Sequence, residues 1–233
     1  ENKDENQVEE LHQILDSDQG IHIKNLSFRY EGPHSPMVLN NLDLALPDNS
    51  VTAIVGVSGS GKTTLVKLLL GYYPTTEGDI RIGDQSIRTI NNAAWRSKCG
   101  VVLQNGYIFS DTIAKNIALG EDLIDTERLV KSARIANINE FIEKLPLGYN
   151  TRIGQEGQML SGGEKQRVLI ARAIYKDPDY FFIDEGTSSL DANNEKVIMK
   201  NLEEFYQGKT VVIVAHRLST VKNADQIVVL DQG

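Results

Sequence analysis

One cysteine, Cys99, stands among 233 residues. A disulfide framework and a cysteine metal cluster are thereby excluded, and the composition suits a reducing compartment. Cys99 itself reads as a small buried apolar residue. No run of about 18 apolar residues occurs, so no segment is expected to cross a membrane as a helix. The first residues are acidic and do not read as a secretory signal peptide. Positive charge is also scarce, with 24 Lys and Arg against 32 Asp and Glu and a net charge of −8. A nucleic-acid binder usually carries a basic stripe, so no nucleic-acid partner is expected.

What is present is enough for a core: 40% of residues are hydrophobic. The length suits one large domain, or one domain with a subdomain. Residues 1–18 hold seven acids and one base, which is most of the net charge. With Val8, Leu11, Ile14 and Leu15 at roughly helical spacing, residues 1–19 read as an acidic linker or short helix, or else as a disordered cut end. The chain starts at Glu1 and stops at Gly233, just after the apolar run Ile227–Leu230, so a piece of a longer protein truncated at its C-terminal end is expected.

Residues 21–30 alternate, with an irregularity expected near Lys24–Asn25, and Leu39–Leu46 alternates again. These predict an antiparallel β layer. A short buried strand over Val51–Val55 precedes a helix over Thr63–Leu70 ended by Gly71, and strands are predicted at Ile80–Ile82 and Val101–Leu103. Residues 110–145 read as a helical insert, with Asp111 and Asp125 as caps of helices 112–118 and 126–136. Strands 180–183, 210–214 and 227–230 then alternate with helices 161–175 and 192–205. Such alternation implies a mostly parallel sheet with ligands at the strand carboxyl ends.

Residues 56–64 read Gly-Val-Ser-Gly-Ser-Gly-Lys-Thr-Thr, the full phosphate-loop pattern, between an apolar strand and a helix. Gly56, Ser58, Gly59, Ser60, Gly61 and Thr64 belong to the cradle, where glycines let backbone N–H groups converge on phosphate oxygens. Lys62 is expected to neutralise the β and γ phosphates and the Thr63 hydroxyl to ligate Mg²⁺. The apolar strand ending in Asp184-Glu185 supplies a second Mg²⁺ ligand in Asp184. Glu185 would orient and deprotonate the attacking water. Ser161-Gly162-Gly163-Glu164 has two readings. Ser-x-x-Glu is a capping box, common at helix starts, whereas paired glycines bare a helix start to an anion. A single chain with two phosphate cradles suggests two chains sharing two nucleotides.

The order phosphate loop, Gln104, Leu-Ser-Gly-Gly-Glu, Asp184-Glu185, Ser189-Leu190-Asp191 and His216 resembles the nucleotide-binding domain of an ATP-binding cassette (ABC) transporter, over about residues 21–233. The resemblance implies an α/β fold of the P-loop NTPase (RecA-like) kind. It has a mostly parallel sheet core, an antiparallel β subdomain and a helical subdomain at about residues 105–160. It implies ATP and Mg²⁺ as cofactors and ATP hydrolysis as the activity. It also implies roles residue by residue: Tyr30 stacking on adenine, and Gln104 touching Mg²⁺ and water while sensing the membrane domain. Ser161, Gly162 and Gly163 would close over the γ-phosphate of a partner's ATP, and His216 would grip the γ-phosphate. Asp191 would communicate across the dimer, although an Asp there is also an ordinary helix N-cap. A head-to-tail dimer with a second copy follows.

Ile108-Phe109-Ser110-Asp111-Thr112-Ile113, Asn116-Ile117, Leu147-Gly148-Tyr149 and Thr151–Gly157 are similar to exporter segments, and the flavour is that of bacterial peptide or bacteriocin exporters, some of which add a peptidase. An acid is usual where Arg152 stands, Glu-Arg where Gln155-Glu156 stand, Gln where Glu164 stands and Ala where Gly186 stands. An exporter implies a transmembrane domain on the same polypeptide and a place on the cytoplasmic face of the membrane, the present chain itself being soluble. The alternative is a soluble ABC-type ATPase not coupled to transport. Tyr107 and Phe109 line either a membrane-domain groove or the subdomain core.

Overall fold

The computed structural model describes residues 20–30, 32, 35–103, 106–154, 159–184, 190–215, 221–231 and 233, and of Ala192 the backbone alone. The chain divides into two compact units, one ending at Cys99 and resuming at Gly208, the other running Gly100–Gln207.

The first unit begins with an antiparallel sheet. Its strands are β1 (Ile21–Phe28), β2 (Leu39–Leu46), β4 (Glu77–Ile82) and β5 (Gln85–Ser86), in the order β2-β1-β4-β5. Ile21 pairs with Leu46 and with Ile82, and Ile23 with Leu44 and Ile80. The period-2 apolar set is thereby kept on one face. The irregularity expected near Lys24–Asn25 is a register shift on both sides of β1, with Asn25 at φ 49. The Asn25 N–H donates to Asp43 Oδ1 at 2.8 Å, which supports the bulge. The strand predicted at Ile80–Ile82 thus belongs to this layer, not to the parallel sheet. The fully buried Ile21, Leu26, Leu39 and Leu46 form its core.

The same unit holds the parallel strands β3 (Val51–Val55), β8 (Thr210–Val214) and β9 (Gln226–Val229), in the order β8-β3-β9. They are five, five and four residues long, and β3 and β8 are almost continuously apolar, as strands covered on both faces must be. Helix α1 (Lys62–Leu69) follows β3, and helix α2 (Asn92–Ser97), capped by Asn91, follows β5. Helix α2 is too short to show an apolar period, because only Trp95 in it is buried. The Trp95 indole N–H donates to Leu69 O at 2.7 Å and closes the end of α1. Cys99 is buried, its thiol against Trp95 O at 3.3 Å.

In the second unit, which takes in β6 (Cys99–Val102) from Gly100 onward, that strand lies beside β7 (Tyr180–Asp184). Among the described residues the α-helices that accompany them are α3 (Ile113–Ile117), α4 (Thr126–Ile135), α5 (Asn139–Glu143), α6 (Gly162–Tyr175) and α7 (Ala192–Phe205). Asp125 caps α4 as expected, its carboxylate accepting from Arg128 N. The cap of α3 is Thr112 and not Asp111: Thr112 Oγ1 accepts from Lys115 N at 3.2 Å. The Asp111 carboxylate, one residue too early to reach the helix, accepts from Thr112 N. Phe181 and Phe182 of β7 and Ile198 and Leu202 of α7 are fully buried.

Candidate nucleotide-binding site

The loop between β3 and α1 is built for an anion. Gly56 leaves β3 where an added Cβ would stand 2.1 Å from Leu230 O and 2.7 Å from Ser60 Oγ, so any side chain there would force the loop open. Gly61 forms the N-cap of α1 at φ 99, a conformation that costs residues with a Cβ. Among the described residues no side chain caps this helix and its first turn holds no acid. Its leading N–H groups therefore point at the loop with their positive dipole end uncompensated. Lys62 is 5% exposed, and its ammonium turns back into the loop, donating to Gly56 O at 2.9 Å and Val57 O at 2.8 Å. A buried cation above a helix start is the arrangement that attracts phosphate oxygens. Thr63 is exposed, whereas Thr64 is buried.

Tyr30 lies two residues past β1. It is 44% exposed, and its hydroxyl shares a 2.9 Å hydrogen bond with Thr64 Oγ1 in the first turn of α1. The loop and the candidate adenine platform are therefore directly joined within the first unit.

In the second unit, helix α6 begins with a complete capping box. Ser161 N–H donates to Glu164 Oε2 at 2.7 Å, and Glu164 N–H donates to Ser161 Oγ at 3.3 Å. The structural alternative for Ser161 and Glu164 is thus realised. Ser161 and Gly162 are nevertheless exposed, so the helix start still faces outward. Asp184 ends β7 with 3% exposure, too buried for a solvated strand end. Asp191 also acts as an N-cap: its carboxylate accepts from Asn193 N and Asn194 N at the start of α7. The Asn194 backbone N–H, then the Asn194 side chain, hold that carboxyl below its ordinary range.

The profile of the ABC transporter family matches residues 39–188. The chain belongs to the ABC transporter family. It carries that family's nucleotide-binding domain, an ATPase domain of P-loop NTPase fold. It is 44% identical over 213 residues to a leukotoxin translocation ATP-binding protein of Mannheimia glucosida, and 43% identical to the protein of that description from Mannheimia haemolytica. Each match covers 91% of this chain, and the chain spans 30% of the length of these relatives. Among solved structures, a bacterial Atm1-family ABC exporter with ATP bound is similar at TM-score 0.89 and 39% identity, over 93% of this chain and 38% of that one.

Three residues expected in the ABC site, Gln104, Glu185 and His216, lie outside the described residues, as do Gln155, Glu156, Gly186 and Ser189. The structure does bring together two of the exporter-like segments. Thr112 bridges Arg152, Ile113 N–H donates to Thr151 O at 3.0 Å, and Ile153 N–H donates to Asp111 O at 2.9 Å.

Arg172, which the sequence did not single out, joins residues of these segments in a cluster. Asn116, fully buried, accepts from Phe109 N and from Arg172, and donates to Phe109 O and Thr112 O. Arg172 also donates to Asn116 O at 2.7 Å and Tyr107 O at 2.8 Å, and its guanidinium lies 5.5 Å from the Phe109 ring. Burial lowers its pKa to about 10. This polar clamp presents Tyr107 and Phe109, in edge contact at 5.0 Å, with 49% and 42% of their surfaces exposed. Of the two readings of this pair, the core is therefore excluded. Asn116 was visible in sequence only as part of an exporter-like dipeptide, because a buried amide leaves no periodic signal.

Proposed function

We propose that this domain is the ATP-hydrolysing engine of an exporter, and that two copies close head to tail over two ATP molecules. The observation that carries the reading is the loop itself: an uncapped, acid-free helix start beneath a buried ammonium at Lys62. The relatives named for translocation and the exporter neighbour with ATP bound support it. In this reading Lys62 neutralises the β and γ phosphates, the Thr64 hydroxyl and the loop amides hold the remaining oxygens, and Tyr30 stacks on adenine. Thr63 and Asp184 are hard oxygen donors suited to Mg²⁺, and Gln104 completes that set. A bound Mg²⁺ would neutralise charge on the phosphate oxygens. Glu185 takes the proton from the attacking water, and His216 steadies the γ-phosphate. Ser161, Gly162, Gly163 and Glu164 of one copy close over the nucleotide of the other, and Asp191 reports across the interface.

The exposed Tyr107–Phe109 pair, clamped from beneath by Arg172 and Asn116, is the surface that receives the transmembrane domain, on the cytoplasmic face of the membrane. The exporter-like segments and the relatives named for leukotoxin translocation support a peptide-class cargo. The domain limits follow: an acidic linker over 1–19 and the cassette over 20–233, with its helical subdomain near 105–160.

The test is light scattering of Glu185→Gln with and without ATP and Mg²⁺, together with its turnover. A monomer that dimerises only with ATP, and hydrolysis reduced about 10²–10⁴-fold, are expected. Near-normal turnover in this variant would remove Glu185 as the base. A soluble ATPase uncoupled from transport would show turnover that reconstitution with the transmembrane domain leaves unchanged.

A further inference from the structure

Tyr30 does not stand alone. Its ring centroid is 5.0 Å from Phe28 at an interplanar angle of 82°, and 5.3 Å from Tyr73 at 87°. Phe28 and Tyr73 meet each other at 5.8 Å. Phe28 is 3% exposed and anchors the trio, whereas Tyr30 and Tyr73 are 44% and 40% exposed. Both neighbours of Tyr30 are close to perpendicular, which is the favoured edge contact between aromatic quadrupoles. Neither stacks parallel on it, so parallel stacking remains available to a flat base.

Tyr73 reaches this place through the way α1 ends. Gly71 N–H donates to Leu68 O at 2.9 Å and Tyr72 N–H to Lys67 O at 3.0 Å, with Gly71 at φ 65. That is a Schellman closure, which reverses the chain sharply after the last turn. Tyr30 is thus tied to both ends of one helix: its hydroxyl to Thr64 in the first turn, its ring to Tyr73 beyond the last. The start of that helix is the phosphate cradle. A base platform held this way has a set distance and a set plane relative to the phosphates.

We propose that Tyr73 is a positioning residue for ATP, holding the Tyr30 ring in the plane that stacks on adenine. The inference rests on reading Tyr30 as the adenine platform. Without Tyr73 the half-exposed ring keeps only Phe28 on one edge and the Thr64 hydrogen bond at its tip, so part of its ordering falls to each incoming nucleotide, and that lowers affinity. The brace acts on the base alone. The phosphates are held by the loop amides and Lys62, whereas the ring of Tyr73 meets the rings of Phe28 and Tyr30.

The experiment measures ATP binding and inorganic tripolyphosphate binding to the intact protein for wild type, Tyr73→Ala, Tyr73→Phe and Tyr30→Ala, with steady-state kinetics beside them. Tyr73→Ala is expected to weaken ATP binding and raise KM about 2- to 10-fold, with kcat at saturating ATP nearly unmoved. Its tripolyphosphate affinity stays at the wild-type value, and Tyr73→Phe, which keeps the ring, restores ATP affinity. Wild-type ATP affinity in Tyr73→Ala, beside a clear loss in Tyr30→Ala, overturns the inference and leaves Tyr30 as the platform. Equal losses for ATP and tripolyphosphate in Tyr73→Ala also overturn it, because Tyr73 would then only support the fold. Unchanged ATP affinity in Tyr30→Ala removes the adenine platform itself.

Discussion

Replacing Ser161 by Asp separates the two roles that one side chain carries at the start of α6. Its hydroxyl accepts from Glu164 N at 3.3 Å and completes a capping box whose other half is the 2.7 Å bond from Ser161 N–H to Glu164 Oε2. Asp is as good an N-cap as Ser, and its charge is favourable at a helix N-terminus. Ser161→Asp should therefore melt within about 1–2 °C of wild type. Ser161→Ala loses the cap, a cost of about 1 kcal/mol. For a chain of 233 residues that lowers Tm by about 2–4 °C. The nucleotide responds in the opposite order. A carboxylate about 4 Å from a γ-phosphate oxygen, at an effective dielectric constant of about 20, is repelled by about 4 kcal/mol per charge. That is roughly a 10³-fold loss of ATP-driven association. The assay pairs thermal melts without nucleotide with ATPase turnover and with light scattering in the Glu185→Gln background. A stable Ser161→Asp protein that hydrolyses ATP and dimerises normally would refute the composite site and leave Ser161 as a cap alone.

Lys62→Ala should abolish measurable ATP binding by calorimetry, since the loop loses its buried cation; unchanged affinity would sink the phosphate-loop assignment. Asn116→Ala removes a buried amide with bonds to Phe109, Thr112 and Arg172, and takes from the Phe109 N–H and one Arg172 N–H the acceptor they share. A loss of about 3 kcal/mol in urea unfolding is expected, and a loss below about 1 kcal/mol would show that the clamp is dispensable. Tyr149, whose hydroxyl donates to Asn139 Oδ1 at 2.7 Å, has its pKa pushed up to about 12, by burial first and then by Glu143. The unfolded chain then releases this proton first, so folding stability falls as pH rises from about 10 to 12. Tyr149→Phe should flatten that part of the stability profile, and an identical slope in both proteins would contradict the assignment.

The sequence alone determined whatever depends on a local pattern. Strands Leu39–Leu46, Val51–Val55 and Thr210–Val214 and helix Ala192–Phe205 have the limits their periodicity predicts. The phosphate loop was legible for the same reason: it is a contiguous backbone conformation written in glycines, followed by its own helix. Even the bulge at Asn25 had a signal, because alternation there slips by one residue. Contacts between segments distant in the chain were not legible. Nothing local pairs Tyr30 with Thr64 and Tyr73, or assigns Arg172 to the carbonyls of Tyr107 and Asn116. Nor could sequence choose between cap and anion site at Ser161, since both use the same residues; the tertiary structure realised the cap and left the helix start exposed. Periodicity records which side of an element is buried. The partner it is buried against is decided only when the chain closes on itself, and that closure forms the brace beneath Tyr30 and the clamp beneath Tyr107 and Phe109.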